Sequence, residues 1–210
     1  MDKNIPTEDN TDQAAHSVHQ TAPPMPDGSS NQNPASIGFW ALVKEDLQCH
    51  DGKIGAQGFW ALFNHRFGNW RMSVKFKPLR ILLTIIYRIW YKNVQIFGGI
   101  DIPYTTKLGR RITLEHFGGM ILVARSVGDD VTIRQNTTFG VRNTQDLNAK
   151  PVIGNHVDIG VGAVLVGAIE IGDHAVIGAN AVVVKDVPAY ATVGGIPAKI
   201  LKQRKPNNVV

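Results

Sequence analysis

From Val127 to Val183 the chain returns to a large apolar residue every six positions. Val127, Ile133 and Phe139 hold that position first; after a polar interruption Ile153, Ile159, Leu165, Ile171, Ile177 and Val183 take it up again, often with Gly directly after. A period of six fits neither the helical repeat of about 3.6 residues nor the two-residue alternation of a long strand. It fits a parallel β-helix, in which each hexad gives one short strand with an inward aliphatic side chain and one corner with a small residue, and three hexads close a triangular coil. The spacing predicts that Ile153 stacks on Ile171, Ile159 on Ile177 and Leu165 on Val183, an apolar column inside a prism. Weaker units from Leu108 and Leu114 extend the pattern backwards with one extra residue before Val127, so the first coil is expected near Ile102. The interruption VRNTQDLNAKPV, Val141 to Val152, should project as a loop and contribute to a site.

Upstream the period changes. Phe39 to His50, Gln57 to Met72 and Leu79 to Phe97 carry apolar residues at helical spacing. In the last, Arg80, Thr84, Arg88 and Lys92 recur every fourth residue and predict a solvated polar stripe on a helix otherwise packed in the core. Its longest uncharged apolar stretch, Ile81 to Tyr87, is far short of the roughly 20 residues of a membrane span. Trp60, Trp70 and Trp90 read as core anchors, and with no recognised nucleic-acid module beside them no nucleic-acid partner is expected. Residues 1–34 hold almost no large apolar side chains and are rich in Pro, Asn, Gln, Ser and Thr, the composition of a disordered tail. The expected organisation is mainly β: tail 1–34, helical region 35–98, β-helix 99–203 and flexible C-terminus 204–210.

Composition sharpens this picture at two points. The 210 residues include 21 Gly and one Cys, which fits one domain with tight corners and excludes a disulfide framework. A lone Cys49 and the lack of a secretory pattern at the start give a cytoplasmic expectation. The chain carries +5 and the tail −4, leaving +9 on residues 35–210. Between Asp51 and Asp101 there is no acid, while Lys53, Arg66, Arg71, Lys75, Lys77, Arg80, Arg88 and Lys92 all fall there. Such segregation invites an anionic partner: a membrane surface at its inner face, a polyanion or an anionic, lipid-linked acceptor. His156 and His174 lie one coil apart and read as an exterior ladder; zinc needs three or four ligands, no third His shares their register, and no metal is expected.

Three segments, GIDIPYTTKLGRRITLEHFGG at 99–119, VGDDVTIRQNTTFG at 127–140 and IGANAVVVKDVPAYATVGGIPAKI at 177–200, together with ALFNHRFGNW at 61–70, resemble the serine acetyltransferase-like branch of the hexapeptide-repeat O-acetyltransferases. The likeness runs over roughly residues 40–203 and implies a left-handed parallel β-helix acting on acetyl-CoA as co-substrate, in a homotrimer. It implies His116 as general base, oriented by Asp101, since an alcohol stays protonated at neutral pH and needs a positioned imidazole to take its proton. It places a backbone amide at Gly140 and Val141 beside the thioester oxyanion, with Val141 where the family has Gly. Coenzyme A would lie between adjacent coils, admitted by Gly160, Gly178, Ala179 and Gly195, with Lys185 and Lys199 for its phosphates.

The sequence also departs from that family. The Arg-His pair that holds the serine carboxylate, before a Pro in the projecting loop, aligns with Ala149 and Lys150 before Pro151, and Glu115 stands for the commoner Asp beside the base. Glu115, Asp51 and Lys150 are therefore the acceptor-binding candidates, and the first expectation is an acceptor hydroxyl on a sugar or glycan in polysaccharide biosynthesis. L-Serine as acceptor is the alternative, and a noncatalytic β-solenoid scaffold is an alternative of another class.

Overall fold

The computed structural model describes residues 26–206. Three helices come first, α1 (Phe39–Gln48), α2 (Gln57–Trp70) and α3 (Lys77–Asn93), the last running into a π turn at Val94–Gly98. Short strands follow: β1 Ile100–Asp101, β2 Lys107–Leu108, β3 Thr113–Glu115, β4 Met120–Leu122, β5 Ser126–Val127, β6 Thr132–Arg134 and β7 Thr138–Gly140. Beyond the projecting loop come β8 Val152–Ile153, β9 Asp158–Ile159, β10 Val164–Val166, β11 Glu170–Ile171, β12 Val176–Ile177, β13 Val182–Val183, β14 Ala191–Gly194 and β15 Lys199–Gln203.

From β1 to β13 each strand steps to the next of three sheets. The first stacks β1, β4, β7, β10 and β13, the second β2, β5, β8 and β11, and the third β3, β6, β9, β12 and β14, with β15 folded back antiparallel on β14. The result is a parallel β-solenoid of about five turns. The hexad register holds: Ile153 faces Ile171, Ile159 faces Ile177 and Leu165 faces Val183, all buried. Leu108 faces Val127 and Leu114 faces Ile133, absorbing the extra residue, and Phe139 faces Leu165 across the loop insertion. Pairing begins at Ile100 opposite Met120, two residues before the expected Ile102, because Gly99 at φ +60° turns the chain straight from the π turn into β1.

The helices cap the first coil. Ala61 and Leu62 of α2 join the core of the prism, which a solenoid end must bury. Gly58 is required by contact: a Cβ there would stand 2.6 Å from the Leu114 carbonyl oxygen. Arg66 is fully buried, its Nε 2.9 Å from Asp46 Oδ2 and its terminal nitrogens donating to the carbonyls of Leu108 and Gly109 at 3.1 and 2.7 Å. Those bonds tie α1, α2 and the first coil together.

Three expectations need correction. Residues 26–34 of the supposed tail are docked on the helices: the Gln32 amide donates to Asn69 Oδ1 at 2.9 Å and Asn33 Nδ2 to the Arg66 carbonyl at 2.9 Å. Polar residues hold this stretch by hydrogen bonds, which a count of apolar side chains does not register; residues 1–25 lie outside the described residues. At the other end Arg204 is not loose, since its amide donates to the Tyr190 carbonyl at 3.1 Å; residues 207–210 lie outside the described residues. Most different is α3, which packs through Tyr87, Trp90 and Tyr91 with Arg80 and Thr84 half-buried, and turns its aliphatic face outward. The rings win the inner position because they bury more surface and meet other rings, Trp90 at 5.4 Å from Trp60 and 5.1 Å from Phe63, Tyr87 at 5.6 Å from Tyr104. Trp60, Trp70 and Trp90 do anchor the helical region, half-buried at its seams. The His156–His174 ladder is stacked at 4.6 Å and continues onto Tyr190 at 4.8 Å.

Candidate active site

His116 directly follows β3 and occupies the corner between the third and first sheets. It adopts φ +65°, the left-handed conformation that Arg111, Asp130, Asn136, His156 and His174 also take. The corner is fixed on both sides: the Gly118 amide donates to the Gly98 carbonyl at 2.9 Å and the Asn136 amide to the Gly118 carbonyl at 3.1 Å. The imidazole is exposed at the rim of a cleft of about 390 Å³ between the sheet and the α1–α2 connection, lined by Cys49, His50, Asp51, Lys53, Thr113 and Glu115 among others. Of the acceptor-binding candidates, Glu115 and Asp51 are therefore brought together with His116. Asp51 is exposed and pairs with the equally exposed Lys53 at 3.0 Å, an ion pair that solvent weakens.

Two residues, one in the cleft and one beside it, escaped the sequence reading. His50 is buried; it donates from Nδ1 to the Asp46 carbonyl at 2.7 Å and accepts the Leu114 N–H at Nε2 at 3.3 Å, so it holds the strand that carries Glu115 and His116. Its position directly before Asp51 in the turn CHDGK is the only signal that marks it. Arg134 lies beside Glu115 in the next coil, its Nε 2.8 Å from Glu115 Oε2, and also pairs with Asp158. The offset that stacks Leu114 on Ile133 also sets Glu115 against Arg134, so this pair was readable from the repeat. Cys49 offers no thiolate, because burial and the Asp46 charge push its thiol up.

The remaining candidates sit elsewhere. Asp101 in β1 accepts a hydrogen bond from the Tyr91 hydroxyl, and no hydrogen bond joins it to His116 among the described residues. Burial and this carboxylate push the Tyr91 phenol up, so it remains a donor. The orienting role implied for Asp101 is not realised in this geometry, for its carboxylate is turned to α3. Gly140 and Val141 lie at the first-to-second corner, one sheet away from His116 along the chain. Lys150 ends the loop at that same corner, half-buried; burial first and the Arg125 charge second push its ammonium down. Arg125 braces the loop by donating to the Asn148 carbonyl at 2.8 Å.

The coenzyme candidates divide likewise. Gly160, Gly178, Ala179 and Gly195 follow third-sheet strands at the corner of His116, and Lys199 in β15 pairs opposite Gly194 there. Lys185 follows β13 at the other corner, apart from the glycines, because a hexad shift of one unit moves a residue to the next corner. Gly160 has a packing reason to be Gly, since a Cβ would stand 2.6 Å from the Ala179 nitrogen of the next coil. Gly140 has none: a Cβ there would meet nothing within 4 Å.

No protein-family model matches the chain. It is 35% identical over 151 residues to the serine acetyltransferase of Mycobacterium tuberculosis, covering 71% of this chain and 63% of that protein. The Haemophilus influenzae serine acetyltransferase is 33% identical over 150 residues, 71% of this chain and 54% of its own length. Among solved structures, serine acetyltransferase from Brucella abortus strain S19 superposes with a TM-score of 0.66 at 25% identity, over 84% of this chain and 81% of that one. The chain thus spans between half and two thirds of the length of these curated relatives. These likenesses overturn the first expectation of a sugar acceptor in favour of the serine alternative. The departure at Ala149 and Lys150 had weighed against serine, but likeness along most of the folded chain outweighs two loop positions. Relatives by sequence and by fold thus support a serine acetyltransferase-like hexapeptide-repeat family for this chain.

Proposed function

We propose that this chain is an acyltransferase that moves acetyl from acetyl-CoA to the hydroxyl of L-serine. The observation that carries the reading is the exposed His116 imidazole at the rim of a cleft that also holds Glu115 and Asp51. The imidazole takes the serine hydroxyl proton as the oxygen bonds to the thioester carbonyl carbon. The carbon–sulfur bond then breaks, and the proton passes from the imidazolium to the departing thiolate, giving O-acetylserine and free coenzyme A. Glu115 and Asp51 supply negative charge for the serine ammonium. The amide at Gly140 or Val141 supplies a donor for the oxyanion, and the open space over Gly140 supports the approach of the thioester there.

One chain keeps His116 and Gly140 at different corners. A homotrimer joins them, with the first-to-second corner of one copy set beside the cleft of the next. In that arrangement Lys150 and Arg125 arrive with the loop and replace the missing Arg-His pair as positive charge for the serine carboxylate. Incubation of the protein with acetyl-CoA and L-serine should release thiol and O-acetylserine in equal amounts, read by thiol titration and mass spectrometry. Thiol release without O-acetylserine, or no release at all, would refute this acceptor.

A further inference from the structure

The outward face of α3 is apolar and open to solvent. Leu82, Ile85, Ile86 and Ile89 recur at positions i, i+3, i+4 and i+7 and are 54, 51, 42 and 61% exposed. Phe76 before the helix and Ile96 and Phe97 after it extend the face, and Ile86, Ile89 and Trp90 line an open dent beside it. Soluble surfaces rarely carry so long a run of exposed aliphatic side chains without a partner. Exposed Lys75, Lys77, Arg88 and Lys92 border it, and residues 52–100 contain no acid to neutralise them.

We infer that α3 docks this protein on the surface of an anionic lipid bilayer, lying in the plane with its aliphatic face in the acyl boundary and its lysines and arginines at the headgroups. Helices that bind this way combine an apolar face with a flanking row of basic residues. No helix among the described residues is long and apolar enough to cross a membrane, so α3 lies on the surface. A second copy fits the face less well. A twofold contact would set these basic residues against their own counterparts, with no acid in residues 52–100 to offset them.

Sedimentation with vesicles of phosphatidylcholine, alone or mixed with phosphatidylglycerol, tests the inference on the full chain. The protein should sediment with the mixed vesicles, stay in solution with phosphatidylcholine alone, and be released as salt rises. Replacing Ile85→Glu and Ile89→Glu together should abolish sedimentation. Replacing Arg88→Gln and Lys92→Gln together should weaken it about thirtyfold. All four side chains are exposed, and an unchanged far-ultraviolet circular dichroism spectrum confirms that the variants fold. The inference fails if the protein ignores mixed vesicles, binds both vesicle types equally, or binds undiminished with either pair replaced. It also fails if Ile85→Glu with Ile89→Glu halves the mass in solution while the parent protein binds no vesicles, the result of a face covered by a second copy.

Discussion

His65 is enclosed on α2 with its Nε2 2.8 Å from the Thr106 carbonyl and no partner for Nδ1. Burial, and then the positive Arg66 beside it, push its pKa down to about 3 from the ordinary 6.5. Below pH 6.5 the unfolded chain takes up a proton that the folded chain refuses, so stability falls with pH until the folded value is reached; above pH 6.5 both states are neutral and the effect vanishes. The slope should be roughly 1.4 kcal/mol per pH unit below that point. His65→Gln keeps a donor for Thr106 and removes the titration, so denaturant unfolding from pH 7 to pH 5 should show a flatter dependence than in the parent, and equal slopes would refute the assignment. At this scale the sequence was a partial guide. His116 stood out because its neighbours carry a family pattern, and it lies at an exposed corner, whereas His50 and His65 owe their places to carbonyls and amides that no local spacing encodes. The contact of Asp101 with Tyr91 was hidden for the same reason, since Tyr91 belongs to the helix before the coil.

The elements show where periodicity informs and where it does not. A strict hexad fixes both register and inward face, because a slip of one residue would turn every aliphatic side chain outward. Helical spacing left the orientation of α3 open, since it has an aliphatic face and an aromatic face and only tertiary ring contacts choose between them. The joint between helices and coil was equally invisible. There Asp46 and Arg66 are both without solvent exposure, and burial pushes the Asp46 carboxyl up while the guanidinium opposes it. Asp46→Ala leaves Arg66 buried and unpaired and should cost about 3–5 kcal/mol, measured as a shift of the denaturant midpoint with unchanged slope. A loss below about 1 kcal/mol would mean that water reaches the guanidinium.

For the whole molecule, the proposed homotrimer joins a cleft on one copy to a loop on the next. The chain has a mass of 23.0 kDa, and light scattering should give three times this value or a multiple of it; a monomer with full acetyl transfer would contradict the shared site. His116 lies at an exposed corner away from the interior, so its truncation should spare the fold and the assembly. The turnover of His116→Ala with saturating acetyl-CoA and L-serine, measured on protein of parental mass and circular dichroism, is the most direct test. A fall of about a hundred- to ten-thousand-fold is the outcome expected for a lost general base, and turnover close to that of the parent would contradict it.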